Sequence, residues 1–196
     1  DVVNGGGLAD QAVALRAYGG AELSGRLLAE APAGAAFVGA CALGDIDADN
    51  DLDLIVLQAP VLPTGLAGTP AHVVWLENTG ATGQPWTAHP LGAHPAGVAL
   101  DVAVGDLDGD GTIDIASRSD ASLAVWRNTG TWQPETIAVP AGRGLTSADL
   151  DGDGRGELLA GGFLVMAAPG GGWAVEAING EASATAASAD FDADGR

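Results

Sequence analysis

Residues 105–116 read GDLDGDGTIDIA, and this stretch is one of four versions of the same acidic phrase along the chain. The others are GDIDADNDLDLI at residues 44–55, ADLDGDGRGELL at 148–159 and ADFDADGR at 189–196. Each reads D-x-D-x-D, and the three complete versions add an acid at the ninth position before a run of apolar β-forming residues. The spacing predicts a loop whose acids surround a metal ion and which leads into a strand.

The predicted ligands follow from the position of each residue within the loop. Acids at positions 1, 3, 5 and 9 converge on one cation, and the backbone carbonyl of position 7 adds a further oxygen. Position 6 is glycine or asparagine, the residues that best tolerate a left-handed turn. The predicted metal ligands are Asp45, Asp47, Asp49, Asp51 and Asp53 in the first loop, Asp106, Asp108, Asp110, Thr112 and Asp114 in the second, Asp149, Asp151, Asp153, Arg155 and Glu157 in the third, and Asp190, Asp192 and Asp194 in the fourth.

The ligand chemistry favours Ca²⁺. Two carboxylates ~4 Å apart at an effective dielectric of ~20 repel each other by about 4 kcal/mol, so a positive charge is expected at the centre of each loop. No His or Cys enters the loops, which disfavours zinc and copper. An EF-hand is rejected, because position 12 is Val56, Ser117 or Ala160 instead of an acid and strands are predicted after the loops. Plain polar turns are the weaker alternative, since a turn needs only one or two such residues.

The acidic phrase recurs at intervals of roughly 40 to 60 residues, a period typical of propellers and solenoids. Each interval holds four short apolar runs, and HVVWLENTG at residues 72–80 parallels LAVWRNTG at 123–130. The Asn-Thr-Gly segments predict hairpins between two strands. Trp75 and Trp126 stand at equivalent places in this alignment, which favours packing between neighbouring blades over ligand stacking. The sequence thus predicts an all-β fold, a β-propeller of four-stranded antiparallel blades with about four blades in this chain.

The chain is predicted to be a single domain, residues 1–196. Its approximate repeats are 1–44, 45–105, 106–148 and 149–189, and a truncated acidic loop occupies 190–196.

Composition narrows the function. The formal net charge is −19 with 26 acids, most of them in the loops, so the acidity is explained by metal ligands. Lysine is absent, which argues against nucleic-acid binding, and no apolar stretch is long enough for a membrane span. Cys41 lies in an apolar run and is predicted to be a small buried hydrophobe. His72, His89 and His94 have no nucleophile motif nearby, and the last two precede prolines, as is typical of turns. Catalysis is therefore not expected.

The phrase GDLDGDGTIDIA, followed by a V-W-x-N-T-G strand, resembles the FG-GAP or VCBS-type repeats of bacterial extracellular proteins, which are related to the repeats of the integrin α-subunit propeller. The resemblance implies that the calcium loop is the hairpin between the first and second strands of each blade. It also implies an extracellular or cell-surface location. The departures are a long insertion at residues 59–71, a shortened hairpin after Glu157 and a poorly marked first repeat.

The expected function is that of a non-catalytic structural or adhesive module with a protein or glycan ligand. One alternative is a carbohydrate-binding propeller, for which an exposed Trp86, Trp132 or Trp173 would be the sign. The other is the non-catalytic part of a polysaccharide-degrading enzyme. Asp1 reads as position 9 of a further loop, which would complete the fourth site if the two ends met. Completion of the fourth site by another copy predicts end-to-end self-association, as in a filament, whereas completion by Asp1 of the same chain predicts a small closed propeller.

Overall fold

The structure, a computed structural model, describes residues 2–6, 11–12, 14–19, 24–60, 71–80, 85–120 and 122–178, with side chains described from Leu28 onward. In this described part the regular structure consists of strands, and no helix could cross a membrane. The strands, in chain order, are β1 Val2–Gly6, β2 Gln11–Ala12, β3 Ala14–Gly19, β4 Ser24–Glu30, β5 Ala35–Gly44, β6 Asp53–Pro60, β7 His72–Glu77, β8 Thr87–Ala93, β9 Asp101–Gly105, β10 Asp114–Arg118, β11 Ser122–Trp126, β12 Pro134–Ala138, β13 Leu145–Ala148, β14 Glu157–Ala160, β15 Phe163–Ala167 and β16 Trp173–Ala177.

These strands form four antiparallel sheets, which follow one another along the chain. Their strand orders are β1-β3-β4, β2-β5-β6-β7-β8, β9-β10-β11-β12 and β13-β14-β15-β16. In the last two sheets, and from β5 to β8 in the second, consecutive strands are neighbours, so each forms a meander. β2, which precedes β3 and β4 of the first sheet in the chain, pairs with the outer edge of β5. The three complete acidic loops join β5 to β6, β9 to β10 and β13 to β14. The repeat boundaries predicted at residues 44, 105 and 148 fall at the ends of the first strands, directly before these loops.

Three hydrophobic clusters hold the sheets together, one between each pair of consecutive sheets. Because side chains alternate along a strand, β6 sends Leu54 and Val56 into the cluster shared with β4, and Ile55 and Leu57 into the cluster shared with the β9–β12 sheet. The third cluster joins the β9–β12 and β13–β16 sheets. Strands buried on both faces explain why the sequence shows continuous apolar runs after each loop.

β5, β9 and β13, the strands that lead into the three described acidic loops, lie side by side. The Ala40 N–H donates to the Leu100 carbonyl at 3.4 Å, which joins β5 to the segment before β9. The Gly144 N–H donates to Asp101 Oδ2 at 2.9 Å, which joins the segment before β13 to β9. This serial stacking of antiparallel sheets around adjacent first strands is a propeller-like fold, and among the described strands no pairing closes the series into a ring.

The sheet register corrects the predicted equivalence of Trp75 and Trp126. Ile115, one residue after Asp114, pairs with Trp126, whereas the residue one after Asp53 pairs with Leu76. One residue fewer separates Trp126 from its Asn-Thr-Gly hairpin, and a one-residue slip moves a side chain to the other face. Both tryptophans still pack into the same cluster from opposite sides, so the predicted role in packing between sheets is confirmed.

Two other expectations are wrong. His89 lies within the edge strand β8 and stacks on Trp75, with ring centroids 4.5 Å apart, so it is not a turn residue. Pro90 is tolerated in β8 because an edge strand with a register shift leaves a proline without a required N–H bond. Cys41 is exposed and lines an open cavity of about 240 Å³ between β5, β9 and β13, because β5 shifts register between Val38 and Cys41. Most of the predicted insertion, residues 61–70, lies outside the described residues.

Candidate metal centres

The backbone of each of the three described acidic loops turns through the left-handed region at two positions. Gly109 and Gly111, at positions 4 and 6 of the second loop, have φ of 79° and 86°. The first loop adopts the same conformation with Ala48 at 60° and Asn50 at 70°. Position 6 was predicted, but position 4 was not, because an alanine there in the first loop hides the requirement for φ above zero.

The acid at position 1 organises the loop. Asp106 Oδ1 accepts from the Gly109 N–H at 2.7 Å and the Asp110 N–H at 3.1 Å, and its Oδ2 accepts from the Gly111 N–H at 2.9 Å. Asp45 and Asp149 each accept two of the three corresponding bonds, in the first and third loops respectively. The loop therefore wraps its amides around a carboxylate.

The acids at positions 3 and 5 continue this pattern. Asp108 accepts from the Asp110 N–H at 3.3 Å, and Asp110 accepts from both the Thr112 N–H and the Thr112 hydroxyl. The hydrogen bonds from Thr112 lower the pKa of the Asp110 carboxyl. Because each carboxylate oxygen has two lone pairs, one backbone bond leaves capacity for a cation.

The acids at position 9 are buried at the start of the second strand. Asp53, Asp114 and Glu157 are 0%, 1% and 7% exposed. Asp114 accepts from the Leu107 N–H at 3.2 Å and from the Asn128 N–H at 2.8 Å. The Asn-Thr-Gly hairpin of the same sheet supplies this second donor, and Asn78 does the same for Asp53.

Burial makes these position 9 carboxylates costly to ionise. It raises the pKa of Asp114 to about 6, and the charges of Asp108 and Asp110 add to the effect. Burial likewise raises the pKa of Asp53 and of Glu157. A cation at the centre of the loop would supply the counter-charge that the loop lacks.

The structure brings together part of each of the three ligand sets that lie in its described residues. One carboxylate oxygen from each acid of a group lies within 4.8 Å of the others, and the groups are Asp45, Asp47 and Asp49; Asp106, Asp108 and Asp114; and Asp149, Asp151 and Glu157. That separation fits oxygens that share one cation at ~2.3 to 2.6 Å. Asp53, Asp110 and Asp153 are outside these groups. An oxygen-only donor set fits a hard cation such as Ca²⁺.

The remaining predicted ligands stay predictions. They are the carbonyls of Asp51, Thr112 and Arg155, which would complete the three described loops. Asp190, Asp192, Asp194 and Asp1 lie outside the described residues.

Neighbouring loops are also joined to one another. Asn128, in the hairpin between β11 and β12 whose N–H bonds to Asp114 of the second loop, donates from Nδ2 to the Ile46 carbonyl in the first loop at 2.7 Å. The Gly156 N–H, in the third loop, donates to the Asp106 carbonyl in the second at 2.6 Å. The three loops therefore form one connected edge of the stacked sheets.

A buried polar network at the other end of the β9–β12 sheet was not predicted. His94 is 2% exposed, and its Nδ1 and Nε2 lie 2.9 Å from Ser117 Oγ and 3.1 Å from Ser122 Oγ. Ser119 Oγ lies 2.8 Å from Ser122 Oγ, and Trp126 Nε1 donates to Ser117. Burial lowers the pKa of His94 to about 4. The network ties the segment after β8 to the next sheet and serves packing.

Comparison with known proteins gives a family match and nothing closer. A family model described as FG-GAP-like repeat matches residues 61–117 and again residues 106–160. The two matches overlap at the second acidic loop and together include the third. No curated protein and no solved structure matches the chain.

Proposed function

The chain belongs to the FG-GAP-like repeat family, and we propose that it is a calcium-stabilised β-propeller module of an extracellular or cell-surface protein, with a structural or adhesive role and no catalysis. Repeats of this family together with the stacked antiparallel sheets make it a propeller-like interaction module. The binding of calcium, the extracellular or cell-surface location and the structural or adhesive role are the parts that we propose.

The observation that carries the proposal is the acidic loop itself, placed between the first and second strands of three consecutive sheets. In each loop three acids converge, and the position 9 acid, which is one of the three in the second and third loops, is buried and has a raised pKa. Bound Ca²⁺ would neutralise this charge. The chain's own backbone N–H groups would keep the carboxylates oriented towards it.

A protein partner is favoured over a glycan. Trp86, Trp132 and Trp173 are only partly exposed, and each packs against a hydrophobic cluster between sheets. Each ring is thus partly occupied by packing, which leaves less of its face for stacking on a sugar. The expected end-to-end association remains part of the proposal, and calcium-dependent size, measured by light scattering, tests it.

Calcium should stabilise the fold. A ligand that binds only the native state adds about 2.7 kcal/mol per site at a hundredfold excess over its dissociation constant. Thermal melts of chelator-treated protein, with and without added calcium, measure this. Asp151→Asn removes a grouped acid and should reduce the calcium-dependent rise in melting temperature. Asp120→Asn, an exposed acid outside the loops, should leave it unchanged. A calcium titration with neither heat nor a change in melting temperature contradicts the proposal.

A further inference from the structure

One side chain outside each acidic loop occupies the same place in all three sheets, and its charge differs from sheet to sheet. Leu54, Ile115 and Leu158 directly follow the position 9 acids, and each pairs with a residue on the neighbouring strand that comes next in the chain. The side chain in question belongs to the residue directly after that partner. The side chains at this place are Glu77, Arg127 and Met166. The three loops are therefore flanked by an acid, a base and a neutral group.

Arg127 binds an acid of the second loop. Its Nη1 donates to Asp108 Oδ2 at 3.1 Å, and its guanidinium lies 5.9 Å from the centre of the Trp173 ring. Asp108 is one of the three acids that converge in this loop, so Arg127 and a cation would compete for the same carboxylate.

A second guanidinium lies against the same loop. A Cβ built on Gly109 would come within 2.9 Å of Arg155 Nε, so the Arg155 side chain, which starts in the third loop, lies over the second. The second loop is thus flanked by two positive charges.

Glu77 places the opposite charge beside the first loop. Leu76 pairs with Leu54, so Glu77 lies across from Asp53, and the N–H of Asn78, the next residue, donates to Asp53 Oδ1 at 2.8 Å. His89 Nε2 lies 2.6 Å from Glu77 Oε2 and holds this carboxylate in place.

We propose that Glu77 and Arg127 set the order in which the loops take up calcium, with the first loop filled at the lowest concentration and the second at the highest. A fixed negative charge beside a cation site strengthens binding, and a fixed positive charge weakens it. This inference rests on the proposed calcium function and assigns a role to residues outside the ligand sets.

The test follows each loop separately by NMR. The amides of Asn50, Gly111 and Gly154 each donate to the position 1 acid of their own loop, so their resonances report on one site each. In a calcium titration of ¹⁵N-labelled, chelator-treated protein, the Asn50 resonance should move first and that of Gly111 last.

Charge-removing variants then shift individual midpoints. Arg127→Gln should lower the midpoint at Gly111 on the order of tenfold, which is the effect of one unit charge near a divalent ion in a water-like dielectric. Glu77→Gln should raise the midpoint at Asn50 by a similar factor. Arg127→Lys keeps the charge and should stay close to the parent protein.

The controls are His89→Gln, which removes the partner of Glu77 and keeps its charge, and Arg143→Gln, an exposed arginine outside the loops. Both should leave the order unchanged. Midpoints in Arg127→Gln and Glu77→Gln equal to those of Arg143→Gln would overturn the inference while leaving calcium binding intact. The absence of any calcium-dependent shift in the parent protein would instead refute the proposed function.

Discussion

The β9–β12 sheet has polar groups buried at both ends, and the two ends differ in how these groups are neutralised. At one end, His94, Ser117 and Ser122 bond to one another as neutral groups. At the other end, Asp106, Asp108 and Asp114 crowd together, and backbone N–H groups are the main donors that reach them. A neutral network can be completed by hydrogen bonds within the chain, whereas three clustered carboxylates carry more negative charge than Arg127, which bonds to Asp108, can neutralise. The stability of the His94 end should therefore depend on protonation, and the stability of the acidic end should depend on bound cations.

The largest effect is expected at the acidic end, from the loss of Asp114. Asp114→Ala leaves the N–H groups of Leu107 and Asn128 without their acceptor, and each buried unpaired donor costs about 1 to 3 kcal/mol. We expect a loss of about 4 kcal/mol in unfolding free energy. Urea denaturation in saturating calcium measures it.

Glu157→Ala is the matched comparison within the same set of loops. Glu157 accepts from the Leu150 N–H, and Leu150 is 47% exposed, so water can replace the lost acceptor. The expected loss is about 1 to 2 kcal/mol. With chelator, the cost of Asp114→Ala should shrink, since the substitution also removes a buried charge. Equal losses for the two variants in calcium would show that the hairpin asparagine does not matter.

The next effect belongs to the neutral end and depends on pH. The pKa of His94 is about 4 in the folded protein and near its ordinary 6.5 in the unfolded chain. Because the unfolded state takes up the proton more readily, stability falls as pH drops from 6.5 towards 4. The full loss is about 3 kcal/mol. Denaturation curves at several pH values, in saturating calcium, give this slope.

The matched variant for this pH dependence is His94→Gln, which cannot take up a proton and should flatten the curve in that window. Calcium is kept saturating because Asp114, with a pKa raised to about 6, acts in the opposite direction in its absence. Its contribution is present at low pH and is lost as pH rises through 6. An unchanged slope in His94→Gln would assign the acid sensitivity to other groups.

The contrast between the two ends also explains what could be predicted from the sequence. The acidic loops are local, because Asp106 bonds to residues three to five positions away, so their spacing reveals them. The His94 network joins residues 23 and 28 positions apart, and no spacing rule connects them. The positions of Trp75 and Trp126 in their strands differ by one residue relative to the following hairpin. Only the sheet register shows this difference, which decides the side of the sheet that each ring faces. The contact between Arg127 and Asp108 was also missed, because these residues are 19 positions apart and only the sheet register brings them together.

The smallest effect concerns the bond between loops of neighbouring sheets. Asn128 Nδ2 donates to the Ile46 carbonyl at 2.7 Å, whereas Asn78 Nδ2 donates to the exposed Leu52 carbonyl of its own sheet at 3.4 Å. Both asparagines keep their backbone bonds to the position 9 acids when replaced by alanine, so only side-chain bonds are lost. For Asn78 these include a second long and exposed bond, from the Gly80 N–H to Asn78 Oδ1 at 3.4 Å. Asn128→Ala should cost about 1 kcal/mol and Asn78→Ala close to nothing, because a short, partly buried bond loses more than a long, exposed one. Urea denaturation of the pair in calcium measures the difference. A cost for Asn78→Ala as large as that for Asn128→Ala would mean that the acidic loops are stabilised within each sheet alone. A cost confined to Asn128→Ala would show that hydrogen bonds at the acidic end join one sheet to the next. The His94 network has the same role at the neutral end.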